Sequence, residues 1–227
     1  MNAPVLTVDG PGGAGKGTVC AMLAAELGWH LLDSGAIYRL LGLKARRADI
    51  ELADVDAVCA LACQLDIKFT AGGGAGELVR TWLDGVDVSA EIRTEAAGAD
   101  ASIVASNGAA RDALLDRQRR LRSPPGLVAD GRDMGTVVFP DAELKIFLSA
   151  SAEERTQRRY KQLIEKGVDA SLADLSAEIA ERDRRDRERA VAPLKPASGA
   201  VSIDTTGVPI DIVVERVRSL LRDRGLS

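Results

Sequence analysis

The stretch Val5-Leu6-Thr7-Val8-Asp9-Gly10-Pro11-Gly12-Gly13-Ala14-Gly15-Lys16-Gly17-Thr18 decides the fold. Pro4 to Asp9 reads as a strand, and Thr18 to Leu27, rich in Ala and Leu, reads as a helix. The glycines between them let the chain curl until successive backbone N–H groups point inward. With the helix N-terminus they make an anion nest, and Lys16 adds a mobile charge that can follow the β- and γ-phosphates of a nucleoside triphosphate. The plainer alternative is a glycine-rich turn that binds nothing; the strand–loop–helix context argues against it. One departure from the general motif matters. Gly17 separates Lys16 from Thr18, so Thr18 is expected on a phosphate rather than on magnesium. No Asn-Lys-x-Asp run for reading guanine occurs, which disfavours a GTPase switch and makes ATP the default nucleotide.

Working outward, short apolar runs alternate with longer helical ones, the pattern of an α/β protein with a parallel sheet. Strands are expected at His30–Leu32, Leu127–Ala129, Leu144–Leu148 and Val201–Ile203, completing a five-stranded core with the first strand. Helices are expected over Ile37–Arg47, Leu52–Gln64, Arg93–Ser106, Ala109–Arg122, Ser151–Lys166, Leu172–Arg189 and Ile210–Arg224. Leu65 to Val88 differs: it alternates like half-buried strands, with a turn at Gly72–Gly76 and a two-residue hairpin at Asp84-Gly85. It reads as a small antiparallel sheet inserted into the core. Ser34 is read as the cap of the helix that follows it, and Ser151 with Glu154 as a capping box.

Composition narrows the partners. Of the 227 residues, 30 are basic and 34 acidic, for a formal net charge of −4, and the pI is about 5.2. A chain that lives on DNA or RNA carries a basic face and a high pI, so no nucleic-acid polymer is expected. No run of about 18 apolar residues is present, so no membrane span is expected. Met1–Asp9 lacks the charged region of a secretory leader. Three cysteines (Cys20, Cys59, Cys63) are too few and odd in number for a disulfide framework and fit a reducing, cytoplasmic setting. Cys59 and Cys63 read as small buried helix residues rather than zinc ligands, and His30, the only histidine, as structural.

The arginines, 23 of the 30 basic residues, bear on what receives the phosphoryl group. At about 100° per residue, Asp186 falls about 40° and Arg189 about 20° from Arg182, on opposite sides, so one helix face carries a carboxylate between two guanidiniums. That face could hold vicinal hydroxyls and a phosphate. The alternative is a solvated helix laced with i,i+4 pairs such as Asp183 with Arg187. Arg155, Arg158 and Arg159 cluster on the preceding helix. The two helices, bounded by Gly167 and Pro193, suggest a lid. Asp130-Gly131-Arg132-Asp133 sits at the carboxyl end of a core strand, the edge where open α/β sheets bind ligands. Arg132 there suits a phosphate and Asp133 an amino group.

These residues match a known family. The chain closely resembles the bacterial cytidylate kinases over nearly its whole length. The resemblance is carried by Gly10–Thr18, Leu31–Arg39, Glu91-Ile92-Arg93-Thr94, Ala129–Ala142 and Arg187–Leu194. Gly131–Thr136 and Asp33–Arg39 are specific to this family among nucleoside monophosphate kinases. The resemblance implies a P-loop NTPase-type core (residues 1–35, 102–150 and 190–227), a nucleoside-monophosphate-binding insertion (36–101) and a helical lid (151–189). It places Arg39, Arg132 and Arg189 on the acceptor phosphate, and Ser102, Arg111 and Asp133 on cytosine. Arg182 and Asp186 go to the ribose hydroxyls, and Ser34 and Tyr38 line the same pocket. Gly10, Pro11, Gly12, Gly13, Ala14, Gly15, Lys16, Gly17 and Thr18 would hold ATP, with Arg155 and Arg159 from the lid. The family often has Ser where this chain has Gly12 or Gly13, a change that leaves the backbone cradle intact.

The chemistry agrees. Cytosine offers an N4 amino donor beside N3 and O2 acceptors, an edge that a carboxylate with an arginine complements. A monophosphate is already anionic near pH 7, so its attack needs no general base; the protein must align two anions and offset their repulsion. Lys16, Arg132 and Arg189 are the residues expected to do this, with Mg²⁺ arriving on ATP and no side chain assigned as its direct ligand. The expectation is an ATP-dependent kinase of CMP and dCMP, monomeric. The rivals are a kinase of another small acceptor and a P-loop switch protein; the acceptor-side arginines speak against the switch.

Overall fold

The computed structural model describes residues 3–74, 77–165 and 167–226. Its central sheet has the strand order β2-β6-β1-β7-β8, with β1 at Val5–Asp9, β2 at His30–Asp33, β6 at Leu127–Gly131, β7 at Leu144–Ser149 and β8 at Val201–Asp204. The chain divides into two compact units, 1–31 with 122–227, and 32–121.

The first unit is built on β1, which pairs in parallel with β6 on one side and β7 on the other. All five of its residues are buried, as expected of a strand with helices on both faces. Leu6, Val8, Val128, Ile146 and Leu148 pack with Val19 and Leu23 of α1 (Lys16–Leu27) and Val213, Val217 and Leu221 of α8 (Ile210–Arg222). Each such side chain contributes about 1.5–3 kcal/mol by leaving water. Register sets Asp9 opposite Gly131, so the phosphate loop and the Arg132–Asp133 turn leave the sheet side by side. Gly10 is required there: a Cβ on it would lie 2.0 Å from the carbonyl oxygen of Leu148. His30 is exposed and its Nε2 lies 3.0 Å from the Pro124 carbonyl, a local tie with no chemistry attached. The unit also contains α6 (Ala152–Glu165) and α7 (Leu172–Glu188). Ser151 accepts from Glu154 N–H at 3.1 Å at the start of α6; Lys166, where that helix was expected to end, lies outside the described residues.

The second unit holds α2 (Ser34–Arg47), α3 (Val55–Cys63), α4 (Glu95–Ser106) and α5 (Gly108–Arg119), with the antiparallel sheet β3 (Ile67–Gly74), β4 (Glu77–Leu83) and β5 (Val86–Asp87). Asp84 and Gly85, at φ 50° and 78°, make the expected tight hairpin. β3 runs on to Gly74, further than expected, and Ala75 and Gly76 of the expected turn lie outside the described residues. The boundary expected at 102 falls inside α4; here α4 and α5 stay with the second unit through Leu121.

Two local readings need correction. The cap of α2 is Asp33, whose carboxylate accepts from Ala36 N–H at 2.9 Å. Ser34 is the first helical residue, which turns its hydroxyl inward to Gln118 Oε1 at 2.8 Å. Cys59 is only half-buried and Cys63 is exposed; among the cysteines, Cys20 alone is a core residue.

Candidate active site

The phosphate loop passes directly into α1. Gly15 takes the left-handed conformation at φ 88° and α1 begins at Lys16, two residues earlier than expected, which draws Lys16 onto the first turn. Lys16 is buried; its Nζ donates to the Pro11 carbonyl at 3.0 Å and lies 3.7 Å from Asp130 Oδ1. Burial pulls its pKa down to about 8, helped by Arg132 and Arg182 and opposed by Asp130. Thr18 and Gly17 are exposed on the same turn.

Two arginines meet this loop from different elements. A Cβ at Gly12 would lie 3.6 Å from both Arg132 Nη2 and Arg182 Nη1. Arg132 is set by its own partners: Nε donates to Asp186 Oδ2 at 3.0 Å and Nη1 to the Gly131 carbonyl at 3.2 Å. Burial alone would push the Asp186 carboxyl up; Arg132 and Arg182 outweigh it and hold it below the ordinary carboxylate range. The turn carrying Arg132 and Asp133 is itself pinned. Met134–Val138 forms a π-turn, a local form often found at functional sites. Both oxygens of Asp9 accept from its backbone, Met134 N–H and Gly135 N–H, each at 2.8 Å. Burial raises Asp9 to about 6 against those two hydrogen bonds.

Arg189 keeps the helical position that periodicity gives it: at φ −58° its N–H donates to the Arg185 carbonyl at 3.1 Å, and with Arg182 it lowers the Asp186 carboxyl. α7 ends at Glu188, and Arg189, at ψ 136°, starts the following loop. Its Nε donates to the Ala192 carbonyl at 2.5 Å and its Nη2 lies 3.9 Å from Asp133 Oδ1. α7 carries an ion-pair ladder and a pair of buried carboxylates on different faces. Glu181, Arg184 and Glu188 make the exposed ion-pair ladder, while Asp183 and Asp186 are buried. Asp183 takes Arg155 in a fork, Nη1 to Oδ1 at 3.0 Å and Nη2 to Oδ2 at 2.5 Å, and Arg187 contacts it only at 3.4 Å. Arg155, a residue given to ATP by resemblance, is buried at the foot of α6, with Nη1 also on the Gly12 carbonyl at 3.1 Å. Arg158 binds Glu154 and Thr205. Arg159, half-buried, lies one residue further along α6.

The second unit holds Tyr38, Arg39, Ser102 and Arg111, which the resemblance assigns to the acceptor. Tyr38 is buried on α2 with the Arg111 guanidinium 5.7 Å from its ring centroid, a cation–π distance. Arg111 Nη1 donates to the Ala105 carbonyl at 3.4 Å. Arg39 Nη1 donates to the Ile92 carbonyl at 2.6 Å. Ser102 is half-buried on α4.

Sequence reasoning missed Asp9, Asp183, Thr205 and Gln118 as parts of these arrangements, and took Asp130 only as part of a motif. A buried Asp ending an apolar strand was a usable signal for Asp9. Nothing local marked Thr205, whose hydroxyl is 3.2 Å from the Ala14 carbonyl.

The sequence model of the cytidylate kinase family matches residues 6–223. The chain is 58% identical over 224 residues to a cytidylate kinase of Pseudomonas putida (strain W619), covering 99% of this chain and 98% of that one. It is 59% identical over 215 residues to a cytidylate kinase of Aeromonas salmonicida (strain A449), covering 95% and 92%. With a glycine-rich phosphate loop, a buried lysine at its exit and paired arginines at Gly12, a family match of this extent has one reading: the chain belongs to the cytidylate kinase family.

Proposed function

We propose that this protein transfers the γ-phosphoryl group of ATP to CMP, and to dCMP, giving ADP and the nucleoside diphosphate. The observation that carries the reading is the pair Arg132 and Arg182 at Gly12, opposite a loop that already ends in Lys16. Three cations at one glycine-rich turn suit a site where two phosphate groups must approach. Asp186 takes Arg132 Nε and Gly131 takes Nη1, so Nη2 is the nitrogen nearest the loop, held by a rigid fork rather than by a flexible stem. The arginines offset repulsion between the anions and align them, and the acceptor oxygen attacks without a general base. Asp133 reads the cytosine amino group, with Ser102 and Arg111. Asp186 and Arg182 hold the ribose, Ser34 and Tyr38 line the pocket, and Arg39, Arg132 and Arg189 grip the acceptor phosphate.

Magnesium keeps several waters and takes one or two carboxylates along with phosphate oxygens. Asp130, whose carboxylate lies 3.5 Å from the Cβ position of Gly17, is the carboxylate that would hold it at this end of α1, with the exposed Thr18 hydroxyl left for a phosphate. The ion would neutralise charge on the β- and γ-phosphates. Among the described residues no helix is long and apolar enough to cross a membrane; a cytoplasmic monomer acting on free nucleotides is the setting proposed. The test is ADP release measured with CMP, dCMP, UMP, AMP and GMP as acceptors. CMP and dCMP should stimulate most. Greatest stimulation by AMP, or by none of the five, would refute the reading.

A further inference from the structure

Three carbonyls of the phosphate loop are tethered by side chains. Lys16 Nζ donates to Pro11 at 3.0 Å, Arg155 Nη1 to Gly12 at 3.1 Å and the Thr205 hydroxyl to Ala14 at 3.2 Å. These peptides are trans. In a trans peptide the carbonyl and the next N–H point in opposite directions, so a carbonyl pulled to one side presents the following N–H on the other. The Gly12 tether orients the N–H of Gly13, and the Ala14 tether that of Gly15. Neither tether belongs to the loop. Arg155 comes from α6, buried with 2% of its surface exposed, and Thr205 follows β8, also with 2% exposed. A side chain of that burial is built into the protein rather than offered to a ligand.

Each tether has its own support. Arg155 Nε donates to the Ala150 carbonyl at 3.1 Å, and both terminal nitrogens are gripped by Asp183 of α7. The guanidinium therefore has little room to turn away from Gly12. Its approach is also distinct from that of the other arginines: a Cβ on Gly13 would meet Arg155 Cβ at 3.0 Å, whereas one on Gly12 would meet Arg132 and Arg182. Thr205 has one hydroxyl proton to give, placed between Ala14 and Ser149, whose carbonyl is 3.0 Å away. The Ser149 carbonyl also accepts Thr205 N–H at 2.8 Å, so the hydroxyl proton is shared between a carbonyl that has a second donor and the Ala14 carbonyl at 3.2 Å. Arg158 Nη1 donates to that hydroxyl oxygen at 3.2 Å and orients it.

We propose that Arg155, held by Asp183, and Thr205 are positioning residues that turn the Gly13 and Gly15 N–H groups into the anion nest, and that Arg155 acts on ATP through the loop. The proposal rests on the reading that this loop takes the triphosphate. It makes α7, through Asp183, part of the donor-phosphate cradle.

The test uses the full chain, with calorimetric affinity for ATP and for CMP measured separately and melting followed alongside. Asp183→Asn separates positioning from bare electrostatics by its sign. Removing a negative charge beside the loop should tighten ATP if only charge matters, and should weaken it if Asp183 is there to hold Arg155. Thr205→Val removes one hydroxyl at nearly constant shape, and Thr205→Ser returns it. The expected result is about tenfold weaker ATP binding for Asp183→Asn and Thr205→Val, the loss of about one hydrogen bond. CMP affinity should stay within about twofold, and Thr205→Ser should recover the wild-type value. Unchanged or tighter ATP binding in both variants would overturn the proposal, as would parallel loss of ATP and CMP with lower melting, the mark of a structural role only. If Asp183→Asn fails to fold, the Thr205 pair decides. A wild-type chain that binds no ATP would overturn the functional reading, and the proposal with it.

Discussion

ATP binding should take up a proton at Lys16. In the nucleotide-free protein, burial pulls its pKa to about 8, with Arg132 and Arg182 pushing the same way and Asp130 against. Phosphate oxygens at Nζ reverse the balance and return the group to its ordinary range near 10.5. Free Lys16 is half deprotonated at pH 8 and about nine-tenths at pH 9, so binding should take up about 0.5 and about 0.9 proton. Above pH 8 the affinity should fall toward tenfold per pH unit, about 1.4 kcal/mol each. Calorimetry in two buffers of different ionisation enthalpy, from pH 7 to 9.5, reads the uptake directly, and Lys16→Met should abolish it. The same shift acts on folding. Between pH 8 and 10.5 the unfolded chain binds more protons at this group than the native one, so this group makes the free protein gain stability as pH rises, by up to about 3 kcal/mol. Saturation with ATP should flatten that gain. Tight ATP binding at pH 9 with no proton uptake would refute the account of Lys16.

Three further outcomes are expected. Asp133→Ala should weaken CMP by more than about 1 kcal/mol, because a buried donor loses its partner; unchanged affinity in calorimetry removes Asp133 from base reading. Arg189→Ala should lower kcat far more than ATP affinity, and equal losses in a kinetic and binding comparison would move Arg189 to the donor side. Asp9, raised to about 6 by burial, binds more protons folded than unfolded between pH 4 and 6, so its contribution to stability declines as pH rises through that window. Urea midpoints across pH 4–7 should give Asp9→Asn a more positive pH slope than the wild type there; parallel slopes would refute the assignment.

The strands and the phosphate loop were legible because each is written in a short run of consecutive residues, and the inserted sheet because its strands follow one another from Ile67 to Asp87. Boundaries moved where a cap was misread: Asp33 and Ser34 are both capable caps, and only the distant Gln118 decides that Ser34 turns inward. Helical periodicity put Asp186 and Arg182 on one face, and the structure brings that face to the phosphate loop: Asp186 accepts from Arg132, and Arg182 lies beside Gly12. It also kept Arg189 close to Asp186, because Arg189, though α7 ends at Glu188, still donates its N–H to the Arg185 carbonyl and so holds a helical position. The reading of the α3 cysteines failed: Ala/Leu-rich surroundings suggest burial on every side, whereas Cys59 is half-buried and Cys63 exposed.

What local sequence could not supply is the pairing of charges, and that pairing explains how so many cations share one turn. Arg132 with Asp186 spans 54 residues and Arg155 with Asp183 spans 28; Lys16 with Asp130 and Arg189 with Asp133 add two more pairs. Unpaired, buried guanidiniums would repel one another and carry an uncompensated desolvation penalty. Paired, each is held at a fixed angle before the nucleotide arrives. The near-balanced composition, which speaks against a nucleic-acid polymer as partner, therefore repeats at the scale of the site. Acidic residues there do not dilute the positive charge to no purpose; they set which nitrogen of each arginine faces the loop. On this view Asp186→Asn should disturb phosphate alignment more than it changes net attraction. Its kcat should fall while ATP affinity holds or tightens, and a fall in ATP affinity instead would assign Asp186 to folding rather than to aim.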